Sequence, residues 1–423
     1  MWLRRVAPTV RTAGVLAAIA LAALIVPVWL AAAAAIALLT AAVADAWTVR
    51  EPPALEGALP PVLSRGMPSP LHVTARAWDH RRVLLRQPMI AALELDRDTG
   101  VGELIGRVVP RRRGRYAVPA VASASLGPLG LARISHPSGA PTPISVYPDL
   151  VSAHASIMRL RRELAGRAGG HSLFARGPLG LGTDFESVRD YTPDDDIRQL
   201  NWRATARLGR PMSNQYRLER DRDVVCLLDA GRLMAAPIGT RTMLDASLDA
   251  LTVLALAADE LGDRCGAIAF DQTIRRAVSP SHRSGRRVIE ALFDLEATPV
   301  DSDFQAAFTR VGNSRRALVV VFTDLVDEAA ARSLADAVPM LARRHTIVVA
   351  SVSDPVLRLA VDAPAETALE AARALVALDV LKARAAAAAR LRRSGAAVIE
   401  APARQLPERC LRAYLEAKAR ARA

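Results

Sequence analysis

Three consecutive carboxylates, Asp194, Asp195 and Asp196, precede Arg198, Trp202, Arg203 and Arg207 within the stretch YTPDDDIRQLNWRATAR, residues 191–207. Acids and guanidinium groups at this density can serve acid/base catalysis, metal ligation or ion pairing. Catalysis needs a nucleophile or a histidine beside the acids, and the nearest histidine is His171, which precedes a glycine-rich stretch. Asp195 and Asp196 can accept paired bonds from Arg198 or Arg207, because the planar guanidinium fork matches a carboxylate. Trp202 adds a large apolar body with a single N–H donor. The cluster predicts a partly buried latch of ion pairs and tryptophan between two parts of the chain. A partner-docking surface is the alternative use of the same groups.

Two further acids, Asp229 and Asp324, each close a continuous apolar run, DVVCLLD and ALVVVFTD. From residue 223 such runs alternate with helical stretches. DVVCLLD is followed by the helical TRTMLDASLDALTVLALAADELG, then by RCGAIAFD, two helix-like stretches and RALVVVFTDL. The helix EAAARSLADAVPMLARR comes next, then HTIVVASV, a long alanine-rich helix, AAVIEA and a C-terminal helix. Apolar strands without alternation are buried on both faces, so 223–423 reads as an α/β domain, a doubly wound parallel sheet covered by helices.

Before this domain the pattern is different. Residues 62–150 show short alternating runs such as LHVTARAW and MIAALELD between turn-forming clusters, which predicts a small antiparallel, β-sandwich-like domain. Residues 49–61 are punctuated by proline and read as a linker, and 151–222 read as a linking segment that carries the charged cluster.

No charged residue occurs from Thr12 to Ala44. One straight helix of that length would measure roughly 48 Å, too long for a hydrocarbon core of about 30 Å. Pro27 lacks the amide donor that a continuous helix needs, so 1–48 is expected to be a transmembrane hairpin turning near Pro27, with Trp29 at an interface. Arg4, Arg5 and Arg11 then place the N-terminus and the soluble domains in the cytoplasm, at the inner (cell) membrane. A secretory signal ending near Ala44 and a single tilted span are the competing readings.

The formal charge is +13, yet almost every basic residue is arginine, the exceptions being Lys382 and Lys418. The arginines are scattered through all the helices and are not interleaved with aromatics, which argues against nucleic-acid binding. Cys226, Cys265 and Cys410 lack metal-ligand spacing and read as buried small hydrophobes.

The stretch GLGTDFESVRDYTPDDDIRQLNWRATARLGR, followed by Glu219 and the strand VVCLLDAGRLM, resembles the bacterial domain-of-unknown-function 58 family. Arg189, Tyr191, Pro193, Asp195, Arg198, Trp202, Arg207 and Glu219 match its signature, with Asp196 beside them. Asp194 departs from it, since the family usually carries glycine at that position. The resemblance implies a membrane hairpin, a β-rich region and a von Willebrand factor A-like domain. It also implies a working partner among the MoxR-type AAA+ ATPases, and with it the role of a non-enzymatic adaptor or scaffold.

A von Willebrand A-like domain further implies a divalent ion at the carboxyl ends of the strands, held by an Asp-x-Ser-x-Ser loop, a threonine and a second aspartate. Here the loop reads Asp229-Ala230-Gly231-Arg232-Leu233, so both serine hydroxyls are missing, and Ser302 and Asp303 stand near the threonine position. A magnesium site on Asp229 and Asp324 would therefore be degenerate. Otherwise these acids are expected to sit at helix N-termini or to pair with Arg232. The rival functions are a metal-dependent hydrolase using Asp229, Asp324 and Ser302, and an adhesive module outside the cell. Neither a phosphate-cradling GxxxxGK[ST] loop nor an HExxH pair is present.

Overall fold

A computed structural model describes residues 6–76, 82–167, 184–192, 200–217, 223–311, 316–326 and 328–420. The chain divides into two compact units, Met1–Tyr147 and Pro148–Ala423.

The first unit opens with β1 (Val6–Pro8), α1 (Val10–Ala22) and α2 (Val28–Thr48). The two apolar helices follow one another in sequence, separated by residues 23–27, and pack together, with Pro27 as the N-cap of α2. Proline cannot donate to the preceding turn, and it starts a helix readily. At about 1.5 Å per residue α2 measures roughly 31 Å, long enough to cross a hydrocarbon core, whereas α1 reaches roughly 20 Å. Among the described residues, α2 alone meets the requirement for a span by length and composition.

The β strands of this unit are β2 (Ala54–Glu56), β3 (Val62–Ser64), β4 (Ser69–Arg76), β5 (Val83–Arg86), β6 (Leu93–Leu95), β7 (Thr99–Val101), β8 (Glu103–Pro110), β9 (Gly114–Val118), β10 (Ala122–Leu126), β11 (Ala132–Ser135) and β12 (Thr142–Tyr147). One sheet runs β1-β11-β10-β5-β7-β8-β4-β2, with β6 on β8, and a second runs β3-β12-β9. All pairs are antiparallel except β3 with β12. β4 and β8 bury every second residue, as a sheet with one packed face must, and Leu71, Val73, Leu85, Leu104, Ile144 and Val146 form the core. Two segments outside the expected β domain join it: β1 pairs with β11, and β2, in the stretch read as a linker, pairs with β4.

The base of the helical hairpin is bonded to this sheet. Asp45 of α2 is buried, and its carboxylate accepts the backbone N–H groups of Leu129 at 2.7 Å, Leu131 at 2.8 Å and Ala132 at 3.2 Å. Gly127 makes this approach possible, since a Cβ there would lie 2.3 Å from the Asp45 carboxyl carbon. The Thr9 hydroxyl donates to the Gly130 carbonyl at 2.6 Å, and the Thr12 hydroxyl donates to Leu131.

The second unit contains α3 (Leu150–Arg167), β13 (Asp184–Asp190), α4 (Trp202–Leu208), β14 (Met212–Arg217), β15 (Asp223–Asp229), the short pair β16 (Pro237–Ile238) and β17 (Arg241–Thr242), α5 (Met243–Leu261), β18 (Arg264–Phe270), β19 (Ile274–His282), α6 (Gly285–Leu292), α7 (Phe304–Val311), β20 (Ala317–Phe322), α8 (Glu328–Ala342), β21 (Thr346–Ser353), α9 (Pro355–Asp362), α10 (Ala368–Arg393), β22 (Ala397–Pro402) and α11 (Leu406–Arg420). Its main sheet has the order β19-β18-β15-β20-β21-β22. All neighbours are parallel except β18 with β19. Every residue of β15 and β20 is buried. One face is covered by α5 with α3, α6 and α11 around Leu228, Leu251 and Leu254, and the other by α7, α8 and α10 around Leu227, Phe308 and Val319. Burial of such side chains contributes about 1.5–3 kcal/mol each.

Three elements depart from the sequence reading. β19 occupies ground read as helix-like: it is an edge strand, where Pro280 is tolerated, and Gly266 gives the proline ring room, since a Cβ there would lie 2.7 Å from the Pro280 nitrogen. The single alanine-rich helix is two, because Asp354 caps α9 and the Thr367–Glu370 capping box starts α10 afresh. Finally, α3, in the expected linking segment, buries Ala153 and Ile157 in the α/β core.

Candidate functional site

Asp229 is the last residue of β15 and lies at the carboxyl end of the parallel sheet, where open α/β folds place their ligands. It is buried, and all of its described partners are hydrogen-bond donors without charge. The Gly231 N–H donates to Oδ1 at 2.8 Å, the Ser302 hydroxyl donates to the same atom at 2.5 Å, and the Thr323 hydroxyl donates to Oδ2 at 2.6 Å. Burial pushes the Asp229 carboxyl above its ordinary range, the three hydrogen bonds oppose that shift, and the nearby Asp271 adds to it.

Asp324 follows β20 by two residues. Its Oδ1 receives the Arg384 guanidinium at 2.7 Å and the Leu325 N–H at 2.8 Å, with the Ser351 hydroxyl at 3.5 Å. Arg384 comes from α10 and donates its other terminal nitrogen to the Val352 carbonyl at 2.7 Å. Both side chains are about 4% exposed. Burial raises the Asp324 pKa more than Arg384 lowers it, and Asp229 adds to the rise. The third acid, Asp271, is held by the Thr273 amide at 2.9 Å, Arg275 at 2.8 Å and the Thr298 hydroxyl at 2.9 Å. Burial works against ionisation there, yet these donors together bring its pKa below the ordinary value.

This donor set does not fit the magnesium site that the resemblance implies. Magnesium requires near-octahedral oxygen ligation. Gly231 and Leu233 supply no side-chain oxygen, and a Cβ at residue 231 would lie 2.2 Å from Ser302 Oγ. The Ser302 hydroxyl thus fills the space that a serine at 231 would need. Asp324 is already engaged by a guanidinium, and no group of three or more His, Cys, Asp or Glu side chains arranged for a metal occurs among the described residues. The expected alternatives are corrected too. Arg232 pairs with Asp301 rather than with Asp229 or Asp324, and Asp229 closes its own loop rather than sitting on a helix N-terminus. Asp303 takes that capping role, accepting from Gln305 N–H at 2.9 Å and Ala306 N–H at 3.1 Å at the start of α7.

An open cavity of about 500 Å³ adjoins the acid site, with Arg232, Leu233, Pro237, Asp324, Leu357 and Arg384 among its walls.

The described part of the charged signature lies on a small ribbon in which β13 pairs with β14, with α4 between them in sequence. Asn201 caps α4 by accepting the Ala204 N–H at 2.9 Å and donates to Asn214 Oδ1 at 2.6 Å. The Thr205 hydroxyl accepts the Met212 N–H at 3.0 Å, and Gly209, at φ 66°, ends the helix in the left-handed conformation. The Tyr191 N–H donates to the Pro211 carbonyl at 3.0 Å, and Arg189 donates to the Asp190 carbonyl at 3.0 Å. Arg207 is exposed in the last turn of α4. Pro193, Asp194, Asp195, Asp196, Arg198 and Glu219 lie outside the described residues, so the ion pairs of the latch do too. Trp202 is described, and it is 71% exposed at the first position of α4.

Sequence reasoning missed Thr323, Ser351, Asp271 and Arg384. A signal existed for the last. Ala377, Arg384, Ala387, Ala388 and Leu391 are the buried positions of α10, at offsets 0, 7, 10, 11 and 14, one face of a helix of 3.6 residues per turn.

Residues 187–392 match a family model described as "Protein of unknown function DUF58". No curated protein matches the chain. Among solved structures, a mutant of the SrpA adhesin from Streptococcus sanguinis aligns at 16% identity over 24% of this chain and 62% of that one, with a TM-score of 0.16. The chain therefore spans less than two thirds of that structure, and a likeness this slight carries no conclusion about fold or role.

Proposed function

From the membership of residues 187–392 in the domain-of-unknown-function 58 family, we propose that the chain is a membrane-tethered, non-enzymatic adaptor working with a MoxR-type AAA+ ATPase in the assembly or maturation of protein complexes. The observation that supports this reading best is the apolar surface of the family-matched segment. Trp202 on α4, Val356 and Leu359 on α9, and Leu369, Leu375 and Val376 on α10 are all exposed. α9 and α10 pack against each other, so their exposed apolar side chains lie on neighbouring helices, as at a surface that contacts another protein, and Trp202 is separately of the type over-represented among residues that carry binding energy. The parallel sheet order, with Asp229 ending β15 and Asp324 after β20, supports reading the second unit as von Willebrand A-like. The ATPase is named through the family resemblance. The exposed apolar surface of α1 and α2 supports a membrane hairpin, and Arg11 and Arg50 at its two ends suit a cytoplasmic orientation. Affinity capture of the full chain from native membranes tests the proposal: a MoxR-type ATPase should co-purify, and its consistent absence in the presence of nucleotide would defeat the reading.

A further inference from the structure

We propose that the base of the apolar helical hairpin binds an anionic phospholipid, with Arg11 and Arg50 facing lipid phosphate and the turn at residues 127–131 seated in the headgroup layer. The inference rests on the membrane-hairpin reading and is independent of the ATPase.

Both helices of the hairpin meet the β sheet at one end. Thr9 and Thr12, at the start of α1, bond to the carbonyls of Gly130 and Leu131, and Asp45, near the end of α2, accepts from Leu129, Leu131 and Ala132. Beyond these bonds the helices expose apolar side chains, among them Leu21, Ile36 and Leu39. The apolar part of α2, Val28 to Ala44, rises roughly 26 Å at about 1.5 Å per residue, no more than a hydrocarbon core of about 30 Å. A bilayer that covers this stretch brings its headgroups to the turn, with no spacer between. Leu129 in the turn and Val10 beside it are exposed, as suits residues that meet lipid.

The same level carries positive charge. Arg82 donates to the carbonyls of Gly127, at 2.9 Å, and Pro128. The Arg11 guanidinium lies over Gly130, where a Cβ would come 3.2 Å from Arg11 Nη1. At the foot of α2 the Arg50 guanidinium stacks 4.4 Å from the centre of the exposed Trp47 ring. Asp45 is buried and turned to backbone N–H groups, so its charge does not pair with these arginines. Arg11 and Arg50 are exposed, and among the described residues neither guanidinium makes a hydrogen bond or ion pair. Their forks match phosphate oxygens.

A small anion would use the arginines and leave Leu129, Val10 and Trp47 in water. A ligand that satisfies both joins a phosphate to acyl chains. Tryptophan is enriched at headgroup level, and arginine stems lie along apolar surface while the charge reaches the polar layer. An anionic lipid is favoured over phosphatidylcholine, whose own ammonium offsets its phosphate, because basic side chains held at an anionic surface feel its unscreened potential. The Asp45 bonds hold them there.

The test uses the full chain carrying Leu129→Cys, labelled with an environment-sensitive fluorophore; the native thiols are buried. In nanodiscs that contain phosphatidylglycerol, a headgroup nitroxide lipid should quench the label. In neutral detergent, phosphatidylglycerol should shift its emission saturably, at a much lower concentration than phosphatidylcholine, and inorganic phosphate should not shift it. Arg11→Gln with Arg50→Gln should weaken the phosphatidylglycerol response about thirtyfold, roughly fivefold for each arginine, at unchanged Tm. Arg11→Lys with Arg50→Lys should retain most of it. Equal responses to the two lipids, a shift reproduced by free phosphate, or a folded glutamine pair with a full response would overturn the proposal. So would an unquenched label on a chain that stays in the nanodisc. A chain that does not stay in the nanodisc at all defeats the hairpin reading, and the proposal with it. Should the glutamine pair fail to fold, the comparison of the two lipids on the otherwise native chain decides.

Discussion

Lys418, one of two lysines in the chain, is buried near the end of α11, with its ammonium 2.6 Å from Asp263 Oδ2. Tyr414, one turn earlier, donates its hydroxyl to the same oxygen. Asp263 follows the left-handed Gly262 that ends α5, so this pair ties the C-terminal helix to the turn entering β18. The two side chains are 2% and 0% exposed. Lys418→Met keeps the apolar stem and removes the charge, leaving a buried carboxylate with less compensation. Breaking one side of a buried pair costs about 3–5 kcal/mol. In a unit of this size each kcal/mol moves Tm by about 2–4 °C, so a fall of roughly 10 °C is expected. Replacing the carboxylate as well, in Lys418→Met with Asp263→Asn, removes the stranded charge while leaving an acceptor for Tyr414, and most of the loss should return. Thermal unfolding of the full chain followed by circular dichroism reads both variants. A Lys418→Met protein that melts within 1 °C of wild type, or a double variant as unstable as the single one, would refute the reasoning.

Asp45→Ala deprives three backbone N–H groups of their acceptor; a loss of about 3 kcal/mol is expected, with new protease cleavage at residues 127–132 as the readout and Asp45→Asn intermediate. Asp229→Asn tests the raised carboxyl. Because the folded protein holds this acid above its ordinary 3.8, the cost of ionising it is absent below that pH and complete once the pH exceeds the folded pKa. The Tm of Asp229→Asn relative to wild type should therefore rise between pH 4 and pH 7.5, and a flat difference would show that Asp229 ionises normally.

Much of the second unit was legible because its strands are continuous apolar runs. DVVCLLD, RCGAIAF, ALVVVF and TIVVASVS appear as β15, β18, β20 and β21. β19 was not, since an exposed edge strand with arginines, serines and proline carries no burial pattern. Pro27 gave the break between the apolar helices, while Asp45, three residues before the end of α2, is simply the first charged residue after the uncharged stretch in the sequence. Its role depends on a turn more than eighty residues away. The acid site shows the same division. Asp229 and Asp324 stand out because a charge ends an apolar strand, and the missing serines were visible directly. The Ser302 hydroxyl taking the place of a serine at 231, and Arg384 reaching Asp324 across sixty residues, are products of tertiary packing that local spacing does not encode. In the signature the sequence suggested packing for Trp202, and the side chain is exposed at the first position of α4.

The adaptor account rests most directly on that outward tryptophan. Trp202→Ala should melt within about 1 °C of wild type, since an exposed side chain carries little folding energy, and should lose most of its co-purifying MoxR-type ATPase in captures from the same membranes. Undiminished ATPase capture by Trp202→Ala at unchanged Tm, or a marked fall in Tm with capture proportional to the folded fraction, would contradict it.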